Sequence, residues 1–179
     1  NNNYLYTLIL ADNKINDDYN TVIKLNTSKG IKVDYIDVGQ GDAILISLPN
    51  GEVMMIDVGA GLYYDESRAW QNIKNTLDKR GIGVIDHLVI SHHHGDHYGL
   101  VPNLVRDYRV INYYDSGSIR TNWQYVNIMS SVKKANINIE EVVIGEKIVE
   151  DEDLIVQVVG VQKSDNEEDN KTHYSIVDE

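Results

Sequence analysis

The stretch SHHHGDHYG, residues 91–99, decides the fold and lies between two apolar segments. It carries the pattern H-x-H-x-D-H, in which three imidazoles and one carboxylate fall within six positions: His92, His94, Asp96 and His97. Imidazole nitrogen and carboxylate oxygen are ligands for zinc, manganese and iron, and the chain has no cysteine to supply a thiolate. The pattern therefore predicts a catalytic metal site rather than a structural one.

The histidine-rich stretch has alternative explanations. A purification tag lies at a terminus, whereas residues 91–99 are internal and are flanked by predicted secondary structure. A solvated polar loop is the other alternative, but four ligand side chains at this spacing after a buried strand favour a metal. The interleaved His93 is expected to point away from its neighbours, either to the surface or behind the ligands. His87 is expected to be a hydrogen-bonded strand residue rather than a ligand.

The residues around the motif predict a turn from a strand to a helix. Residues 86–90 read DHLVI, which has the length and β-branched content of a buried strand. A helix is predicted over residues 97–105. The ligands would then lie at the carboxyl end of a strand, where open α/β sheets place their ligand sites.

The rest of the chain predicts an antiparallel meander followed by alternating strands and helices. Strands are expected at residues 31–38, 43–48, 53–56, 85–90, 109–114, 139–144 and 154–161, and helices at 66–79 and 122–135. Residues 1–30 are expected to form an N-terminal extension or edge strands. Residues 164–171 are expected to be an exposed loop, and residues 172–177 the start of one more strand. The alternation indicates a mixed α/β sheet with helices outside.

Composition limits the partners of the chain. Its 179 residues suit one domain, and 28 acidic against 16 basic residues give a formal net charge of −12. This balance argues against the broad basic face that nucleic acid or an anionic membrane needs, but it allows a local basic groove or a metal centre that binds phosphate. No apolar run approaches the roughly twenty residues of a membrane helix. The polar start at Asn1 is what a cleaved signal would leave, so an extracytoplasmic or secreted location is slightly favoured.

Three segments together resemble the metallo-β-lactamase superfamily and, within it, the hydrolase domain of ComEC-like DNA-uptake proteins. They read IDVGQGDA at 36–43, MIDVG at 55–59 and SHHHGDHYG at 91–99. The first is typical of the ComEC-like branch, the second is the early aspartate–glycine motif of the superfamily, and the third is its metal signature. The segments occur in the expected order, and the resemblance covers residues 31–179.

The resemblance implies a four-layer αββα sandwich with two divalent metal ions at the edge where the sheets meet, zinc being expected and manganese the alternative. His92 and His94 would hold one ion, and Asp96 and His97 the second. Asp57 would orient the metal loop through a hydrogen bond, so catalysis would depend on Asp96 and Asp57. Three further residues would line or brace this edge, with a pure turn role as the alternative: Asp37, Gln40 and Asp42.

The third metal-binding segment of the family would fall near residues 170–175, NKTHYS. His173 is a candidate ligand there, and a loop histidine is the alternative. Family members continue beyond this point with a strand and a bridging aspartate, so residues 31–179 would be the N-terminal portion of the domain. An incomplete sandwich would expose a sheet edge, which invites pairing into a homo-oligomer.

The function implied by the resemblance is that of a metal-dependent hydrolase using a metal-activated water. Its expected substrate is a phosphodiester, either a small molecule or nucleic acid, as for a nuclease or phosphodiesterase. One alternative is a hydrolase of a lactone, lactam or thioester, and another is a non-catalytic binding or assembly module that retains the fold. Arg120 and Lys171 are candidate phosphate contacts, with a solvated surface position as the alternative for each.

Overall fold

The computed structural model describes residues 30–61, 65–150 and 154–161 in full, together with the backbone of three further strands. Two of these strands, β1 (Tyr4–Thr7) and β2 (Val22–Leu25), pair with each other as an antiparallel two-stranded sheet. His173, Lys171 and the predicted loop at 164–171 lie outside the described residues. No helix in the described part of the chain is long and apolar enough to cross a bilayer.

Six strands form the main sheet in the order in which they occur in the chain. They are β3 (Lys32–Tyr35), β4 (Ala43–Ser47), β5 (Val53–Val58), β6 (Val84–Val89), β7 (Arg109–Asp115) and β8 (Asn138–Glu141). Strands β3 to β5 are an antiparallel meander, and β5 to β8 run parallel. Both the predicted meander and the predicted mixed sheet are confirmed.

A second sheet has the order β11, β10, β9 and is antiparallel. Its strands are β9 (Lys147–Glu150), β10 (Ile155–Val161) and β11 (Tyr174–Val177). The strands predicted at 139–144 and 154–161 left the residues between them without a strand, which was wrong because β9 lies there. Strand β9 has only four residues, of which Val149 alone is buried, so its sequence carries little strand signal. Its backbone pairing with β10 stabilises it. The predicted strand at 139–144 was also too long, because β8 ends at Glu141.

Four helices accompany the strands: α1 (Glu66–Arg80), α2 (Gly95–Tyr98), α3 (Val101–Asp107) and α4 (Trp123–Lys134). The prediction of α1 is confirmed, and its ends follow from the sequence. The Asp65 carboxylate accepts a hydrogen bond from the Ser67 backbone N at 2.9 Å, and Gly81 ends the helix with a φ of 70°. The predicted helix α4 is also confirmed.

The single helix predicted over residues 97–105 was wrong, because the structure has two short helices there. The break lies at Leu100, whose backbone N donates to the carbonyl oxygen of Val58 at 2.9 Å instead of continuing α2. Helix α3 then begins at Val101, with Pro102 in its first turn, where proline is common. A contact with β5 therefore ends α2 and ties the metal motif to the sheet.

Two hydrophobic cores lie on opposite faces of the main sheet. Alternate residues of a strand face opposite sides, so Leu45 joins the core under the helices and Ile44 joins the core under the second sheet. Ile73 of α1 packs in the first core, and Val156 of β10 packs in the second. The predicted α/β sandwich is confirmed in these three layers. A helix layer outside the second sheet does not occur among the fully described residues.

The parallel strands bring three loops to one edge of the main sheet. These loops follow β5, β6 and β7, and parallel strands place their carboxyl ends on the same side. The loop after β6 carries the H-x-H-x-D-H motif, and the loop after β5 begins at Gly59, two residues beyond Asp57. The fold thus gathers two of the sequence motifs at one place.

Replacing Leu88 with alanine is expected to lower the free energy of unfolding by about 2–5 kcal/mol, because Leu88 is fully buried in the core under the helices. Val84→Ala is the matched control, since Val84 lies on the same strand and is 39% exposed. The control is expected to cost less than about 1 kcal/mol. Urea unfolding measures both values, and equal losses in the two variants would contradict this assignment of the core.

Candidate metal centre

The carboxylate of Asp57 is the hub of the site. Its Oδ1 accepts a hydrogen bond from the Ser91 backbone N at 2.7 Å. Its Oδ2 accepts from Ser91 Oγ at 2.5 Å and from His97 Nδ1 at 2.8 Å. Because an ionised carboxylate only accepts, the proton of a neutral His97 lies on Nδ1 and the Nε2 lone pair can face a metal. Asp57 therefore fixes the ring of His97, and its role in orienting a metal loop stays a prediction.

Asp57 adopts a left-handed backbone conformation with a φ of 58°, which residues other than glycine rarely adopt. Aspartate tolerates this region better than most residues because its side chain is short and polar. Its side chain is buried, and the three hydrogen bonds offset the cost of both the conformation and the buried charge. The strained residue thus lies at the site itself.

Two backbone hydrogen bonds join the segments that carry the sequence motifs. Asp42 N donates to the carbonyl oxygen of Asp96 at 3.1 Å, and Gly59 N donates to the carbonyl oxygen of Asp42 at 3.0 Å. A Cβ at either Gly41 or Gly59 would overlap the carbonyl oxygen of Asp96. Glycine is therefore required at both positions. Sequence analysis included both glycines in the motif segments but did not predict their packing against Asp96.

The histidine rings and carboxylates of the three segments form one cluster. The ring centroids of His92 lie 3.9 Å from His97 and 4.6 Å from His94. One ligand atom each from Asp42, Asp57 and His97 lies within 4.8 Å of the others, and Asp96 Oδ2 is 3.8 Å from His97 Nε2. Imidazoles this close would repel one another if all were protonated, whereas neutral imidazoles beside carboxylates fit a divalent cation. The donor set present here therefore fits the predicted kind of metal.

The structure brings together most of the predicted site residues. His92, His94, Asp96 and His97 lie in the loop and first turn after β6, with Asp57 beneath them and Asp42 beside them. Their assignment as metal ligands stays a prediction. Sequence reasoning placed Asp42 only at the edge of the site, but its carboxylate lies 3.5 Å from His97 Nδ1 and offers an oxygen to the cluster.

Asp37 and Gln40, which were also predicted at this edge, make contacts within their own turn and with the loop after β5. The Asp37 side chain accepts a hydrogen bond from Gly39 N at 3.1 Å, which is the turn role that had been the alternative for it. Gln40 is exposed and its backbone and Cβ pack closely against Gly61. His173, the candidate third-segment ligand, lies outside the described residues.

The two remaining histidines of this region are buried. His93 points away from its neighbours as expected, and its Nε2 lies 3.0 Å from Asp115 Oδ2, so it lies behind the ligands and the surface alternative was wrong. His87 is hydrogen-bonded within the strand layer, as expected, with Nδ1 3.3 Å from Tyr114 Oη and Nε2 3.3 Å from Glu52. Asp115 was missed because it lies 22 residues from its partner.

The carboxylates around His97 control its protonation. Burial lowers the pKa of His97, but the hydrogen bond to Asp57 and the negative charges of Asp57, Asp96 and Asp42 together raise it above its ordinary value. A proton therefore occupies His97 to higher pH than in a free histidine. A metal ion must displace this proton in order to bind.

The charge of Arg120 acts on one residue of α2. Burial raises the pKa of Tyr98 to about 12, and the positive charge of Arg120 opposes that rise. Tyr98 belongs to the helix that also carries Asp96 and His97. Arg120 itself is partly exposed, and its role as a phosphate contact stays a prediction.

Comparison with known families matches this geometry. The family model described as the metallo-beta-lactamase superfamily matches residues 36–174. ComE operon protein 3 of Bacillus subtilis (strain 168) is 26% identical over 147 residues, which cover 75% of this chain and 19% of that protein. The chain therefore spans about a fifth of the length of this relative.

Two solved structures are similar at low scores. A diphosphatase from the PhnP family has a TM-score of 0.44 and 16% identity, with coverage of 80% of this chain and 59% of its own. Rubredoxin oxygen:oxidoreductase of Desulfovibrio gigas has a TM-score of 0.43 and 17% identity, with coverage of 76% and 33%. At these scores neither structure carries an argument about the substrate.

Gly59→Ala is expected to displace the metal loop, because the new Cβ would overlap the backbone of Asp96 and His97. The expected loss is about 1–3 kcal/mol in the free energy of unfolding, together with weaker zinc binding. Gly83→Ala is the matched control, since nothing lies within 4 Å of its Cβ position. Urea unfolding and competition with a zinc chelator measure the two effects. The close-packing interpretation fails if both variants behave alike.

Zinc binding is expected to strengthen as the pH rises through the raised pKa of His97, and to release the proton that His97 holds below that pKa. Calorimetric zinc titration in buffers of different ionisation enthalpy counts the released protons. At a pH near the ordinary histidine value of about 6.5, the wild-type chain should release more protons than His97→Gln. Equal release by the two proteins would show that His97 does not exchange a proton for the metal.

Proposed function

Because the chain belongs to the metallo-β-lactamase superfamily, which confirms the resemblance of its three motif segments, we propose that it carries the metal centre of a hydrolase that cleaves phosphodiesters. The observation that carries this proposal is the cluster of imidazole and carboxylate donors held by Asp57 at the carboxyl edge of the main sheet. Such a donor set suits a hydrolytic metal site, because it offers nitrogen and oxygen ligands without thiolate.

The residues of the cluster divide into two groups in the proposal. His92 and His94 would hold one divalent ion and Asp96 and His97 a second, with zinc expected and manganese the alternative. Carboxylate oxygens of Asp42 and Asp57 lie 3.5 Å and 2.8 Å from His97 Nδ1, so they hold the side of the ring opposite the proposed ligand atom Nε2. When bound, such ions lower the pKa of water and offset negative charge on a phosphoryl oxygen.

The other side chains prepare the site for this chemistry. Asp57 and Ser91 fix the orientation of His97 through hydrogen bonds, so its ring does not have to be ordered when metal binds. Burial of His92 and His97 keeps bulk water away from one side of the cluster. Arg120, whose positive charge acts on Tyr98 of α2, is the proposed phosphate contact. No side-chain nucleophile is needed.

The choice of a phosphodiester rests on two observations. Residues 36–43 have the segment typical of the ComEC-like branch, and the positive charge of Arg120 acts on Tyr98 of α2. The net charge of −12 counts against tight binding of long nucleic acid by this chain alone, so a small or short phosphodiester is the first substrate to test. An extracytoplasmic or secreted location and self-association through a sheet edge are parts of the same proposal.

The test compares substrate classes on the zinc- or manganese-loaded chain. We expect cleavage of bis(p-nitrophenyl) phosphate or a short single-stranded oligonucleotide, loss of that activity with a chelator, and a fall to the background rate in His94→Ala/Asp96→Ala. His87→Gln is the matched control, because His87 is also buried but bonds to Tyr114 and Glu52 on the other face of the sheet.

Three outcomes would contradict the proposal in different ways. Turnover of a lactone, lactam or thioester without phosphodiester cleavage would replace the substrate class. Metal binding without turnover of any class would favour the binding or assembly module. Absence of metal by elemental mass spectrometry, after zinc or manganese loading, would remove the hydrolase altogether.

A further inference from the structure

A second buried polar pair lies behind the metal loop and has no part in the proposed chemistry. His93 is 4% exposed, Asp115 is 4% exposed, and His93 Nε2 is 3.0 Å from Asp115 Oδ2. Burying a carboxylate is costly unless it is hydrogen-bonded. His93 also lies between two predicted ligands in the sequence, His92 and His94. A buried pair at this position therefore needs a physical reason.

Asp115 is held rigidly at the end of β7. Its Oδ1 accepts from Gly117 N at 2.8 Å, and its carbonyl oxygen accepts from Val142 N at 2.8 Å. One residue earlier, the carbonyl oxygen of Tyr114 accepts from Ile90 N at 2.9 Å, so β6 and β7 stay paired up to the start of the metal loop. The carboxylate of Asp115 is therefore a fixed point of the sheet.

Aromatic rings enclose the pair. The ring of His93 lies 5.3 Å from that of Tyr98 in α2 and 5.0 Å from that of Tyr125 in α4. Burial, and then the charge of Asp115, raise the pKa of Tyr113 well above its ordinary value, so this neighbour stays a neutral phenol. In such a low-dielectric place a hydrogen bond between His93 and Asp115 is stronger than it would be in water.

We propose that His93 and Asp115 are positioning residues that fix the backbone between His92 and His94 and thereby set the affinity and geometry of the metal site. The inference rests on the proposed function, because it takes His92 and His94 as ligands. His94 has an extended backbone, with φ −103° and ψ 149°, so alternate side chains here face opposite sides. Anchoring His93 to the sheet then aims its two neighbours towards the cluster.

The first test measures zinc affinity by chelator competition and records the visible spectrum of the cobalt-loaded chain. His93→Phe keeps the ring packing but loses the hydrogen bond, and it should weaken zinc binding about tenfold to a hundredfold and change the cobalt spectrum. His93→Gln, which keeps an N–H donor, should stay close to the wild type. Asp115→Asn keeps the volume and should weaken binding in the same direction, so it replaces His93→Phe if that variant does not fold.

His87→Phe is the matched control, because it also removes a buried histidine and its hydrogen bonds from the β6 region. It should lower the melting temperature without changing zinc affinity or the cobalt spectrum. If His93→Phe or Asp115→Asn binds zinc with wild-type affinity and spectrum, or if His87→Phe weakens binding equally, the positioning role is overturned.

A second readout separates this inference from the proposed function. Amide hydrogen exchange of residues 91–97 in the metal-free chain should be faster in His93→Phe than in wild type, and unchanged in His87→Phe. If the wild-type chain binds no metal, the proposed function fails. The amide hydrogen exchange rates then still test whether His93 and Asp115 fix the backbone of residues 91–97. Unchanged exchange in His93→Phe would overturn the anchor even if metal binds.

Discussion

The buried carboxylate of Asp57 is the interaction on which the rest of the site depends. It stands at the end of β5 in a left-handed conformation and accepts hydrogen bonds from Ser91 and His97, which belong to the loop after β6. A buried charge is stable only when hydrogen-bond donors surround it. Displacing the loop would remove the donors of Ser91 and His97 and leave the Asp57 carboxylate without these hydrogen bonds. The same bonds set the tautomer of His97. One residue thus couples the stability of the sheet edge to the chemistry of the predicted ligands.

Close packing adds a second constraint to this electrostatic one. The carbonyl oxygen of Asp96 rests where the Cβ atoms of residues 41 and 59 would be, and it accepts a hydrogen bond from Asp42 N. The segment after β3 is therefore part of the site and does more than connect two strands. It brings the Asp42 carboxylate to 3.5 Å from His97. The three motif segments therefore pack directly against one another. The backbone of Asp96 in the third segment fills the space beside Gly41 in the first and Gly59 in the second.

Much of the fold could be predicted because its signals are local. Helix α1 has an aspartate cap, apolar spacing and a terminal glycine, and the metal motif places four donors within six residues. The break at Leu100 could not be predicted, since it depends on a hydrogen bond to Val58, and β9 exists through its pairing with β10. The partnership of His93 with Asp115 was likewise invisible, because 22 residues separate the two. Sequence periodicity does not report contacts of that range.

Side-chain hydrogen bonds hold the metal loop on two sides. Asp57 and Ser91 fix the ring of His97 on one side, while His93 is tied to Asp115 on the other. The ring centroids of His92 and His97 lie 3.9 Å apart on this loop. The carboxylates around His97 favour a positive charge there, and they raise the pKa of its imidazole above the ordinary value. In the proposed function, metal binding would exchange the proton on His97 for the ion, and the hydrogen bonds that already fix this ring would lower the ordering entropy that binding costs.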